Sequence, residues 1–203
     1  MAQVFRGQKM KDYSKLIALA KNGLIRPKDL VAVGIDRNIL RSAISDEIIE
    51  SVAYGVYILK TELEDKLYIF QLKNSKLIFS ANTSAYLLGL TTRDSEVFYA
   101  AAPLNYNTSK LLKSHNIVRE KDDLYLLGQT KVNTPLGNPV RVHDLERTIC
   151  DLFNPKYTGD KFVQVEALKN YVQSSEKNLV KLFEYATMLG VSEELKKRIE
   201  VLL

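Results

Sequence analysis

The chain has 203 residues, of which 46% are hydrophobic and 26% charged; that is enough for one full domain and a small one, with the composition of a globular protein rather than a disordered or fibrous one. No apolar run approaches the roughly 18 residues of a membrane helix, the opening "MAQVFRGQKMKDYSK" has no stretch of signal-peptide length, and the single cysteine, Cys150, excludes an internal disulfide; together these predict a cytoplasmic protein with no membrane partner. The net charge is +5 and uneven, with ten Lys/Arg against six Asp/Glu in residues 1–60 and nineteen against eighteen in residues 61–203, which suggests an anionic partner for the first third, nucleic acid first, against the plainer reading of scattered surface charge.

Taken in chain order, Met10, Tyr13, Leu16, Ile17 and Ala20 follow helical spacing, and Gly23 ends the run. In "LIRPKDLVAVG", Pro27 suits the first turn of a second helix and Gly34 a left-handed position past its end. "IDRNILRSAIS" opens a third helix with Asp36 as N-cap. Three short helices, the last two separated by a glycine turn, form a helix-turn-helix pattern. At about 100° per residue, the third helix carries Arg37, Asn38, Arg41 and Ser42 on one side and Ile39, Leu40, Ala43 and Ile44 on the other. The apolar side is expected to pack on the first two helices, leaving the polar side outward. "EIIESVAYGVYIL" then reads as two short strands around "VAYG", with Ile48, Glu50 and Val52 sharing one side. A helix-turn-helix followed at once by a hairpin is a winged-helix arrangement.

"KTELEDKLYIFQLKNSK" is charged, then β-like, and is expected to hold a domain junction around residues 60–76. "SANTSAYLLGL" predicts a helix from Ser80, its cap, to about Leu88, stopped by Gly89. "EVFYAAAPL" and "DLYLLGQTKV" read as strands, and "NTPLGNPVRV" as a turn leading into another. "HDLERTICDLF" predicts a helix capped by Asp144. From about residue 160 the chain reads as helical, over Lys161–Ser174, Lys177–Leu189 and Glu193–Leu202. The expected fold is α+β: a winged helix-turn-helix domain over residues 1–60, then a mixed α/β domain over 61–203 with a helical end.

The stretches "GLIRPKDLVAVGIDRNILRSAISDEIIESVAYGVYIL", "IFSANTSAYLLGL" and "VRVHDLERTICDLF" occur in this order and cover nearly half of the chain. In order and spacing they resemble the AbiEi-type antitoxins of bacterial abortive-infection, type IV toxin–antitoxin systems. The turn glycine, the "GVY" after the wing and "ERTICDL" are the most specific parts. The resemblance implies a DNA-binding winged helix and a C-terminal antitoxin domain; the chain is read as non-enzymatic, with no cofactor expected. It implies repression of the protein's own operon through inverted repeats in double-stranded promoter DNA; such a site needs two copies of the domain, by association in solution or side by side on the DNA. It also implies antagonism of a co-encoded nucleotidyltransferase-like toxin without a stable complex, and so a part in phage defence. One residue departs from the pattern: Tyr54 stands before the wing glycine where the family often has a basic residue.

Arg37, Asn38 and Arg41 are the sharpest candidates for DNA contact. Residues at the start of a recognition helix reach base edges in the major groove, where arginine pairs with guanine and asparagine with adenine. Arg26 and Lys28 flank the second helix start, where phosphate binds. Ser42, Tyr54, Lys9, Lys11 and Lys15 could add backbone contacts. For each of these a solvated helix face is the plainer reading. In the second domain, Asp144, Arg147 and Asp151 share one helix face. Their plain reading is an ion-pair ladder worth a few tenths of a kcal/mol per pair; the resemblance makes Arg147 and Asp151 candidates for shaping the antitoxin surface.

Other chemistries fit less well. A metal site would have to use His143, Asp144 and Asp151, without clustered ligand spacing. Asp122 and Asp123 followed by Gln129-x-Lys131 faintly match the acidic-then-(E/Q)xK layout of a Mg²⁺-dependent nuclease, with a short separation. Ser174-x-x-Lys177 matches a serine-acylase fragment with nothing else of that motif set. Cys150, flanked by Ile149, Asp151 and Leu152, is expected to be a buried small hydrophobe. A winged helix that binds a partner protein is the main alternative to DNA binding.

Overall fold

The computed structural model describes residues 13–20, 23–26, 30 and 34–201, with Arg37 in its backbone alone. The expected second helix, with Pro27 and Lys28, lies largely outside the described residues, as do Lys9, Met10, Lys11 and Leu202. Among the described residues the fold is mixed α+β, with nine α-helices and two sheets. The chain divides into two compact units, residues 1–69 and 70–203.

The N-terminal unit contains α1 (Ser14–Ala18), β1 (Leu24–Ile25), α2 (Arg37–Ser45), β2 (Ile49–Ala53) and β3 (Val56–Leu59). Its core gathers Leu16, Ile25, Leu30, Leu40, Ala43, Ile49 and Leu59. Helix α2 starts where Asp36 stops the extended chain: its carboxylate accepts the Asn38 backbone N–H at 3.0 Å and the Asn38 side-chain amide at 3.1 Å. This satisfies one of the orphan donors of the first turn. Asp36→Ala should therefore cost about 1 kcal/mol, read as a lower denaturation midpoint of this unit with the hairpin intact. Leu40 and Ala43 are buried as expected, but Ile39 and Ile44, on the flanks of the apolar side, stay 38% and 40% exposed.

The hairpin forms around Tyr54-Gly55, where Gly55 takes φ +68, a conformation that favours glycine. The side that Ile48, Glu50 and Val52 share is not its buried one. Ile49, opposite Leu59, is buried, whereas Glu50 is exposed and Ile48 and Val52 only half-buried. Two causes act together. The end of α2 folds back, with the Ile48 N–H donating to the Ala43 carbonyl at 2.9 Å, so pairing starts one residue later. An irregularity between Ser51 and Ala53 then breaks the alternation. A third strand, β1, also pairs with β3, Leu24 opposite Ile58, giving the order β1-β3-β2. Two residues are too few for a period-2 signal.

The β-like reading of "KLYIFQLK" is corrected: Lys66–Lys73 is a helix, α3. The Asp65 carboxylate accepts the Tyr68 N–H at 3.0 Å, as an N-cap does. Leu67, Tyr68, Ile69 and Phe70 are all buried, and a continuous apolar run has no period to distinguish strand from helix.

The C-terminal unit contains β4 (Ile78–Phe79), α4 (Ala81–Leu87), β5 (Tyr99–Pro103), a 3₁₀ turn at Leu111–Lys113, β6 (Asn116–Glu120), α5 (Asp122–Tyr125), β7 (Gln129–Asn133), β8 (Pro139–His143), α6 (Leu145–Phe153), α7 (Lys161–Gln173), α8 (Leu179–Leu189) and α9 (Ser192–Ile199). The sheet order is β6-β5-β4-β8-β7, with β4 parallel to β8, β5 parallel to β6 and the other pairs antiparallel. "DLYLLGQTKV" is corrected from one strand to a short helix and a strand. Gly128 at φ +70 separates them. Ser80 precedes α4 as expected, but no side-chain hydrogen bond caps that helix.

Helix α6 runs through the main core of this unit. Ile149, Cys150 and Leu152 are buried with Leu168 and Tyr171 of α7, Leu182 of α8 and Leu195 of α9. Cys150 has the small-hydrophobe role expected: its Sγ lies 3.7 Å from the Leu182 carbonyl, and burial pushes the thiol's pKa up. Among the described residues no helix is long and apolar enough to cross a membrane.

Candidate nucleic-acid interface and a buried charge cluster

Two constellations arise from the candidate residues, one in each unit. The first is the outer side of α2 with the hairpin tip. Asn38 and Arg41 are exposed. Arg37 opens the helix, and its side chain lies outside the described residues. Ser42 is half-buried beside the Tyr13 hydroxyl, which itself donates to the Asp46 carboxylate. Tyr54 is fully exposed at the hairpin tip. Arg26 is committed elsewhere: it is half-buried and donates to the Tyr68 hydroxyl at 2.9 Å. Lys15 is exposed on α1. The outer side of α2 thus offers an amide and a guanidinium, and the tip adds a phenol.

The second constellation corrects the surface ladder. Arg147 and Asp151 are both completely buried. Arg147 spreads its guanidinium over three acceptors: Nε to Asp151 Oδ1 at 2.8 Å, Nη2 to Glu120 Oε2 at 2.6 Å and Nη1 to the Leu124 carbonyl at 2.5 Å. Asp151 uses its other oxygen on His143 Nδ1 at 2.6 Å. One polar pair on α6 therefore ties that helix to β6, α5 and β8. Asp144 does not join them. Its carboxylate caps the Arg147 backbone N–H at 2.9 Å and meets Lys181 Nζ at 2.9 Å. Glu146 also takes Lys181, at 3.0 Å, and accepts from the Tyr171 hydroxyl and the Asn178 N–H, each at 3.1 Å.

The electrostatics follow from burial with partners. Burial by itself would raise the Asp151 pKa, but His143 and Arg147 outweigh it and hold the carboxyl below its ordinary value. Burial by itself would lower the Arg147 pKa; Asp151 and Glu120 reverse that and raise it. Tyr157 is pushed well above its ordinary value, first by burial and then by Asp151 and Glu120. Because the folded Asp151 carboxyl titrates below its unfolded value, its contribution is present above roughly pH 4 and is lost as pH falls through the folded pKa.

Gly128 shows how tightly the start of α6 is enclosed. Its carbonyl accepts the Asp144 N–H at 2.7 Å. A Cβ there would meet Arg147 Cβ at 2.8 Å and Asp144 Oδ1 at 2.9 Å, on a backbone already at φ +70. Gly128→Ala should destabilise the C-terminal unit by roughly 2–4 kcal/mol, measured by chemical denaturation.

The other sequence candidates are not brought together. His143 spends Nδ1 on Asp151, Asp144 faces Lys181, and among the described residues no three His, Cys, Asp or Glu side chains are grouped to hold a metal ion. Asp122 and Asp123 are exposed in the first turn of α5, while Gln129 and Lys131 are exposed on β7. Lys177 reaches the Ser174 carbonyl, at 3.4 Å, and not its hydroxyl among the described contacts. Sequence reasoning did not single out Glu120, and it considered His143 only as a metal ligand. Glu120 ends β6, a strand with no alternation to mark it, and meets Arg147 across 27 residues of chain.

No family model matches the chain, and no curated protein matches it either.

Proposed function

We propose that the chain is a winged-helix antitoxin and transcriptional autorepressor of the AbiEi type. The N-terminal unit binds inverted repeats in the promoter of its own operon. Arg37, Asn38 and Arg41 read base edges, while Ser42, Lys28 and the Tyr54 phenol add backbone contacts. The C-terminal unit supplies the antitoxic activity against a co-encoded nucleotidyltransferase-like toxin, without a stable complex. Two copies occupy the two half-sites, associating on the DNA.

The observation that carries this reading is the outward polar side of α2. Three residues separate its end from a hairpin whose exposed tip is Tyr54. In the sheet order β1-β3-β2 the hairpin pairs with a strand that lies between the first two helices of the sequence pattern, which supports the wing reading. The basic excess of residues 1–60 supports it further. The test is a reporter gene driven by the DNA upstream of the coding sequence. Co-expression of the chain should lower reporter output, and Arg37→Ala/Arg41→Ala should restore it. Unchanged output with the wild-type chain contradicts autorepression.

One observation favours a protein-binding winged helix: Ile39 and Ile44 remain exposed on the flanks of α2, apolar area of the kind a partner protein covers. Added salt separates the two readings, because binding through several phosphates weakens steeply with salt and apolar docking does not.

A further inference from the structure

An open cavity of about 570 Å³ lies in the C-terminal unit, where the 3₁₀ turn and the start of β6 meet the loop after α6. Among the described residues its charged lining is Lys113 and Lys156, with no carboxylate. Neither lysine makes an ion pair among the described residues. Two lysines lining one cavity whose described lining has no carboxylate raise the local potential and favour an anion.

The neutral polar groups are donors or can become so. Ser114 brings a hydroxyl. Asn116 uses one amide hydrogen on the Thr158 hydroxyl at 2.5 Å, leaving its second. His115 is more specific. Its Nδ1 accepts the Phe98 backbone N–H at 3.1 Å, so the neutral ring carries its proton on Nε2. Burial lowers the pKa of this ring, and stacking on Phe98 fixes its plane, with centroids 5.2 Å apart. The imidazole, a lining residue, is therefore held in one plane with its N–H on Nε2.

The cavity also has an apolar side. Val97 and Leu112 line it while remaining 42% and 54% exposed, and Ile117 closes it behind them. Inorganic phosphate would leave that side uncovered. A ligand with a phosphate at one end and a flat, poorly hydrated body at the other covers both, and the volume is in the range of small-molecule sites.

We propose that this cavity binds a nucleoside phosphate, with the phosphate between Lys113 and Lys156 and the base against Val97 and Leu112. The same chemistry is present in a free nucleotide and at the end of a nucleic-acid strand. The site is separate from the outer side of α2 and does not depend on promoter recognition.

The test is titration calorimetry on the full chain carrying Arg37→Ala/Arg41→Ala, which removes the proposed duplex contacts. The probes are ATP, GTP, inorganic phosphate and a six-nucleotide single strand with a 5′-phosphate. Saturable binding of at least one nucleoside triphosphate is expected, weakened tenfold or more by adding Lys113→Gln/Lys156→Gln. Both lysines are on the surface, and an unchanged circular-dichroism melt shows that the quadruple variant folds. A single strand that binds more tightly than either triphosphate, with the same lysine dependence, makes a strand end the source; the reverse order makes it a free nucleotide. Three results overturn the proposal: no binding of any nucleotide probe at millimolar concentration, binding indifferent to the lysine substitutions, or inorganic phosphate binding as tightly as the nucleotides.

Discussion

Arg147→Met should destabilise the C-terminal unit by about 3–5 kcal/mol, the largest stability effect of any single substitution at the candidate positions. Methionine has nearly the length of the arginine stem, so the loss is electrostatic before it is steric. It strands the Glu120 and Asp151 carboxylates in a completely buried site and frees the Leu124 carbonyl. Glu120, left without the guanidinium, and Asp151, left with His143 alone, cannot both stay charged cheaply. The thermal midpoint should drop by roughly 10–20 °C. The variant should also lose less stability than wild type on acidification from neutral pH, because its carboxylates are already driven towards the protonated form. Asp151→Asn is the companion test. It keeps the shape and removes the group whose depressed pKa gives the acid limb, so its stability should depend less on pH below about 5. A solvated ladder on the surface would instead predict a change of a few tenths of a kcal/mol for either variant.

Arg37→Ala/Arg41→Ala should reduce affinity for upstream DNA by at least about 30-fold, taking roughly 1 kcal/mol or more for each contact. The change should leave the fold alone. Arg41 is exposed, and Arg37 opens the first turn of α2. The melt of the double variant should therefore match wild type. Asn38→Ala should act in the same direction with a smaller loss and a base-specific signature, since an asparagine contact favours adenine. Tyr54→Ala should weaken binding to all sequences alike, as loss of a phosphate contact does. A double variant that binds as wild type does would move the reading head off this helix.

What the sequence made legible is what local backbone chemistry decides. Asp36 and Asp144 accept N–H groups within three residues of themselves, and Gly55 sits at a turn needing positive φ. Those tasks depend on immediate neighbours, so single residues announce them. The inward residue of β2 was not legible, because it depends on how the end of α2 folds back and on the irregularity after Ser51. Helix α3 was misread because four consecutive buried residues erase the period. The Arg147 cluster was only half legible. The spacing of Arg147 and Asp151 showed a shared face, but nothing local tells whether that face meets water or Glu120 and His143. The carboxylate that answers Arg147 comes from β6, through long-range parallel pairing with β5. The lysine-lined cavity was invisible for the same reason: Lys113 and Lys156 meet only after the sheet forms.

The most direct measurement is a gel-shift titration of the wild-type chain against the DNA immediately upstream of its coding sequence, with scrambled DNA of equal length, at 50 mM and 200 mM salt. The account predicts a preference for the upstream fragment at both salt concentrations, in two steps as two half-sites fill, with an affinity that falls steeply as salt is raised. Equal affinity for both fragments, or binding indifferent to salt, would contradict it.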